Sequence, residues 1–156
     1  MTSTPEAAAV VTLESADPRI RIEVEGAVGR LVVANPERRN AVSLAMWQAI
    51  PGAVAALVAH PDVRVIVVRG DGALAFVSGA DISEFATVRR DAASARAYEA
   101  SNAEAFSALR HAPKPTIAMI RGFCLGGGMG LAVACDIRIA SDDAVFGIPA
   151  ARLGVG

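Results

Sequence analysis

The chain has 156 residues, of which 53% are hydrophobic and only 4% aromatic, and its formal net charge is −1. That length supports one domain with a sizeable core, and the core must be aliphatic. The charge balance gives no basis for nucleic acid or an anionic membrane as a partner, and Cys124 and Cys135, both in apolar runs, do not form a disulfide framework.

Met1 to Pro18 has neither the basic start nor the apolar run of a secretion signal and reads as a mobile tail. The core is expected over 19–156. Ile20 to Glu25 alternates apolar and charged residues, as a half-buried strand does. Gly26 to Gly29 is a turn and Arg30 to Ala34 a second strand, so the pair predicts a hairpin. A charged loop follows from Asn35-Pro36 to Asn40. Ser43 is placed to cap a helix from Leu44 to Ala59, with a kink or restart at Pro51-Gly52. Met46, Trp47 and Ile50 lie at helical spacing and read as core or pocket wall. Val63 to Arg69 shows little alternation and predicts a strand buried on both faces.

Phe76 to Asp81 is a loop of small residues, with Asp81 as cap of a short helix. Ala92 to Arg110 reads as a long helix that His111 to Pro115 ends. Thr116 to Ile120 is a second buried strand, and Leu125 to Gly128 turns into a helix reaching Cys135. Strands follow at Asp136 to Ala140 and Val145 to Gly147. The window from Thr116 to Cys135 holds one charge, Arg121, but the glycines at its centre argue for strand, turn and buried helix over a membrane span. The order predicts an α/β fold with right-handed crossovers. Buried free thiols and the absence of a signal-like start fit a reducing cytoplasm. The end on Gly154-Val155-Gly156 is turn chemistry, from which a further C-terminal portion is expected.

Two small-residue loops each follow a strand. One is Phe76-Val77-Ser78-Gly79-Ala80-Asp81-Ile82, the other Gly122 to Gly130 with Gly126-Gly127-Gly128 at its centre. Small residues let a ligand approach the backbone, and a glycine turn opening a helix aims unpaired N–H groups outward. One N–H from each loop could bind a single developing oxyanion. Either loop alone reads rather as a tight turn required by packing.

Taken together and in order, Asn35-Pro36-x-x-x-Asn40-Ala41, Ser78-Gly79-Ala80-Asp81-Ile82, Gly126-Gly127-Gly128, Cys135 to Ala140 and Phe146-Gly147 resemble the crotonase (enoyl-CoA hydratase/isomerase) pattern. The resemblance covers residues 20 to 156 and implies a spiral of strand-strand-helix units, lacking the C-terminal helical region of a complete member. It implies that the backbone N–H groups of Ala80 and Gly127 hold a thioester oxygen, each worth about 2.7–4 kcal/mol to an enolate-like transition state. It implies coenzyme A contacts at Ser78, Ala80, Asp81, Ile82, Gly126 and Gly127, with Arg38 or Arg39 near the phosphates, where an arginine–phosphate pair is chemically natural. No bound cofactor or metal is implied, since coenzyme A arrives as part of an acyl-CoA substrate. Complete members form trimers or hexamers; for this shorter chain altered assembly is expected.

Where the pattern calls for two glutamates, this sequence has Gly130 and Ala150, and neither can move a proton. Asp136, Asp142 and Asp143 read as structural, the last two in a turn. His60 and His111, beside prolines at helix ends, read as surface residues. Gly70-x-Gly72-x-x-Ala75 is a loose dinucleotide match that Ser78-Gly79 breaks. Met129 stands where a related serine peptidase would need its nucleophile. The expected function is acyl-CoA binding with oxyanion stabilisation in the hydratase/isomerase class and acyl-CoA catabolism; the alternatives are binding without catalysis or an inactive truncated homologue.

Overall fold

A computed structural model of the chain describes residues 6–149. Strands β1 (Val11–Leu13), β2 (Ile20–Glu25) and β3 (Val28–Val33) run antiparallel. Helix α1 (Leu44–Ala59) crosses to β4 (Val65–Gly70), followed by β5 (Ala75–Val77). Two helices, α2 (Phe85–Val88) and α3 (Ala92–Arg110), precede β6 (Thr116–Ile120) and β7 (Phe123–Leu125). Helix α4 (Gly127–Ala134), β8 (Ile137–Ala140) and β9 (Val145–Gly147) complete the described chain.

The strands divide between two sheets. The larger has the order β1-β2-β3-β4-β6-β8 and the smaller β5-β7-β9. From β4 onward each unit gives one strand to the large sheet and the next to the small one, so the expected strand-strand-helix spiral is present. Every pairing after the hairpin is parallel. Helix α1 packs on β2 and β3 of the large sheet and α3 packs on α1 and α4; an aliphatic core that includes Ile22, Leu31, Ile50, Leu57, Ile66 and Val68 lies between α1 and the sheet.

The helices start where side chains can satisfy their first N–H groups. Ser43 Oγ accepts from Met46 N at 3.3 Å, and Asp91 and Ser94 form a reciprocal capping box at the start of α3. No restart occurs at Pro51; α1 runs through it as one helix. Met46, Trp47, Ile50, Val54 and Leu57 are all buried on both sides of the proline. Packing of that row on one core holds the helix together despite one lost hydrogen bond.

The strands expected to be buried on both faces are buried on one. In β4, Ile66 and Val68 are buried while Val65, Val67 and Arg69 are half-exposed, and Met119 of β6 is exposed. Register explains it: Arg21, Glu23, Arg30 and Arg69 share the other face, where Glu23 pairs with Arg21 and Arg69, Arg30 with Glu25, and Arg21 also with Asp71 at 3.0 Å. The expected tail also contains structure. Val11, Thr12 and Leu13 pair with Val24, Glu23 and Ile22, adding an edge strand where β2 had an unpaired side. Strands β5 and β7, three residues each, were not anticipated.

Asn40 ties the loop before α1 to the turn after β4. It is buried, with φ 57°, and its Nδ2 donates to the carbonyls of Asp71 (3.0 Å) and Ala75 (2.8 Å). Its Oδ1 accepts from Asn35 N at 3.0 Å. Asn40→Ala strands these groups, and a loss of at least about 1–3 kcal/mol in urea unfolding is expected. Asp17 sets an acid limit. The Arg19 side chain donates to it at 2.8 and 3.0 Å and, against the cost of burial, holds its carboxyl below the usual range. A lowered folded pKa gives stability that is present above the unfolded value and lost as pH falls through the folded one. The urea midpoint is therefore expected to drop below roughly pH 4, with a shallower acid limb in Asp17→Asn.

Candidate active site

The small sheet brings the two glycine-containing loops together. Strands β5 and β7 are parallel neighbours, with Ala75 beside Phe123 and Val77 beside Cys124, so the chain leaves both at the same end. Gly79 and Gly126 then face each other: a Cβ on Gly126 would lie 3.8 Å from Gly79 Cα. Both have positive φ, 117° and 52°, a region that glycine enters without steric cost. Gly128 packs against β5, where an added Cβ would meet the Val77 carbonyl oxygen at 2.3 Å. Gly127 rests on the Trp47 indole, whose Cζ2 would lie 2.7 Å from a Cβ there.

Ala80 is clamped by Val42. Val42 N donates to Gly79 O at 2.9 Å and Asp81 N donates to Val42 O at 3.0 Å. The Ala80 N–H lies between these bonds. Neither it nor the Gly127 N–H has an acceptor among the described residues. Both residues line one cavity of about 460 Å³, which Ser78, Asp81, Ile82 and Gly126 also line. The residues expected from the sequence to act together thus share one site.

The two arginines part company. Arg38 lines the cavity and its Nη1 donates to both Asp81 carboxylate oxygens at 3.1 Å and to Ser83 Oγ at 2.7 Å. Asp81 also accepts from Ser83 N at 3.1 Å, capping the turn over Ile82–Glu84. Burial pushes the Asp81 carboxyl up, but the bonds from Ser83 and the Arg38 charge outweigh it, and the net shift is downward. Arg39 does not line the cavity; its guanidinium sits 5.1 Å from the Phe123 ring centroid.

Position 130 is filled from outside. A Cβ on Gly130 would meet the Phe106 ring at 2.4 Å, so that ring occupies the space a larger residue would need. Ala150 lies outside the described residues. Among the described residues lining the cavity, Asp81 is the carboxylate, and it is committed to Arg38 and Ser83. Asp136 accepts from the Thr116 N–H (2.8 Å) and hydroxyl (3.1 Å), and Asp143 bonds Ser141, so both are structural. Burial pushes the Cys124 and Cys135 thiols up to about 11, which keeps them protonated at neutral pH. His60 and His111 end α1 and α3. Among the described residues, no helix is long and apolar enough to cross a membrane and no side-chain cluster suits a metal ion.

Sequence reasoning missed Phe85, Arg89, Tyr98 and Asn102, which also line the cavity. Tyr98 was detectable in principle, because it lies on the buried stripe Tyr98, Ser101, Ala105 and Leu109 of α3. Arg89 carries no such signal, since its position depends on how α2 turns into α3.

A family model for enoyl-CoA hydratase/isomerase matches residues 23–156. The chain belongs to this family. Crotonyl-CoA hydratase of Syntrophomonas wolfei is 36% identical over 136 residues, covering 87% of this chain and 52% of that protein. The peroxisomal Delta(3,5)-Delta(2,4)-dienoyl-CoA isomerase of Arabidopsis thaliana is 34% identical over 146 residues, again 87% and 52%. Among solved structures, an enoyl-CoA hydratase/isomerase from Xanthobacter autotrophicus superposes with a TM-score of 0.84 at 37% identity, covering 88% of this chain and 51% of the other. An enoyl-CoA hydratase from Thermoplasma volcanium gives 0.82 at 35%, covering 89% and 54%. The chain thus has the crotonase fold and spans about half the length of the enoyl-CoA hydratase/isomerase family proteins it matches.

Proposed function

We propose that this chain binds an acyl-CoA thioester and stabilises an enolate-like oxyanion between the backbone N–H groups of Ala80 and Gly127, in acyl-CoA catabolism. The observation that carries the reading is the pairing of two unsatisfied N–H groups, from separate loops, on one cavity. A thioester oxygen that gains negative charge would be held by both donors, and the clamp from Val42 fixes one of them before substrate arrives. Coenzyme A is part of the substrate, and its phosphates are assigned to the Arg38 side of the cavity. Arg38 already has Asp81 as counter-ion, so it orients an anion more than it attracts one.

Ordinary hydration of an enoyl thioester is not expected. It needs one group to activate water and another to protonate the α-carbon. Gly130 offers neither, and Asp81 is neutralised by its own contacts. The second reading, binding without catalysis, is favoured by that absence of a free carboxylate among the described cavity residues. Calorimetric titration with acetyl-CoA, against free coenzyme A, tests the site. Tighter binding of the thioester is expected; equal binding, or none, would refute the oxyanion assignment. Exchange of the α-protons of butyryl-CoA in heavy water then separates the readings, because exchange needs a base and binding does not.

A further inference from the structure

One flank of the cavity is more polar than a wall for a plain hydrocarbon chain needs to be. Arg89 lies over two rings, 5.3 Å from the Phe85 centroid and 5.9 Å from that of Tyr98. A cation held by ring faces keeps N–H groups that can still donate hydrogen bonds, and a guanidinium has five. Its one ion pair, to Glu99, is long at 3.5 Å, and that glutamate is 65% exposed, so the contact neutralises Arg89 weakly.

Two further groups point the same way. The Tyr98 hydroxyl accepts from Trp47 Nε1 at 3.2 Å, and its own proton has no acceptor among the described residues. Burial pushes the Tyr98 pKa up, which keeps that proton in place. Asn102 Oδ1 is fully enclosed and has no hydrogen-bond partner among the described residues. Its amide can present either oxygen or N–H₂ to the cavity by a half-turn. Trp47 connects this flank to the thioester site, since the indole that donates to Tyr98 also supports Gly127.

The geometry points to an acyl group that ends in a carboxylate, held by Arg89, Tyr98 and Asn102 while the thioester lies at Ala80 and Gly127. This rests on the acyl-CoA reading above and adds the substrate class. An ionised carboxylate can accept from the Arg89 guanidinium and the Tyr98 hydroxyl, and from the Asn102 N–H₂ once its half-turn has replaced the enclosed oxygen. A methyl-ended chain would offer no acceptor to the Tyr98 proton and no counter-charge to Arg89 beyond its long contact with Glu99.

The test is titration of the 156-residue chain with succinyl-, glutaryl- and adipyl-CoA, each against the methyl-ended acyl-CoA of the same carbon number. At least one carboxylated member is expected to bind roughly ten-fold tighter than its methyl-ended partner, the size of one charge-assisted hydrogen bond. In Arg89→Met that ratio is expected to fall to about one, and in Tyr98→Phe to shrink. Reading a ratio within each variant removes any general effect on folding. Methyl-ended chains binding as well or better in every pair would overturn the inference and leave the acyl-CoA reading standing. So would an unchanged ratio in Arg89→Met with weaker binding of free coenzyme A, which would put Arg89 on the nucleotide. Binding of no thioester at all would overturn both.

Discussion

Trp47→Ala is expected to lose about 3–5 kcal/mol of folding stability and, with it, thioester binding. The side chain is fully buried in α1. Its ring meets Phe106 edge-on with centroids 5.6 Å apart, donates to Tyr98 at 3.2 Å and supports the Gly127 backbone. Truncation removes the packing volume, the aromatic pair and the donor together, and leaves a void beneath the glycine turn. Chemical denaturation reads the first effect and calorimetry the second. Trp47→Phe separates them: it keeps a ring in place but loses the bond to Tyr98, so a smaller loss is expected, about 1–3 kcal/mol. A Trp47→Ala protein of unchanged stability would mean that the turn is supported from elsewhere.

Gly128→Ala is expected to abolish the preference for a thioester over free coenzyme A. The new methyl would lie 2.3 Å from the Val77 carbonyl oxygen and 3.0 Å from Val77 Cβ. Neither neighbour is the flexible end of a side chain. Relief requires α4 to move away from β5, and this shifts Gly127 relative to Ala80. The stability cost is that of overpacking, about 1–3 kcal/mol. The loss of selectivity is the sharper result, because two donors must meet one oxygen within hydrogen-bond distance. Gly52→Ala is the control: nothing lies within 4 Å of a Cβ there, and Gly52 sits within helix α1. That variant should bind as the parent does and be slightly more stable, by about 0.4–1 kcal/mol.

The long elements were legible because each carried its own signals. Leu44–Ala59 had a serine cap and an apolar stripe, and Ala92–Arg110 had helix-forming composition and a proline stop. The two loops were legible as chemistry because small residues after strands have few other uses. What was not legible depends on distant partners. Strands of three residues such as β5 and β7 have no period to detect, and only their mutual pairing makes them strands. The half-exposed face of β4 followed from charges on β2 and β3, which no reading of Val63 to Arg69 alone contains. The polar flank of the cavity was hidden for the same reason. Arg89, Tyr98 and Asn102 acquire a shared role only when α3 is laid against the glycine turn. At position 130 the sequence has a glycine where the resemblance leads one to expect a glutamate, and in the structure the Phe106 ring fills the space a side chain there would take.

The bridge between Val42 and Ala80 has a consequence for the timing of solvent exchange. Its two hydrogen bonds hold the amides of Val42 and Asp81, while that of Ala80, which lies in space between the two bonds, has no acceptor among the described residues. In deuterated water the three protons should therefore leave at different rates: Ala80 early, Val42 and Asp81 only when the segment before α1 separates from the loop. A fast-exchanging amide set between two slow ones is the mark of a donor held rigid by its surroundings yet kept unpaired.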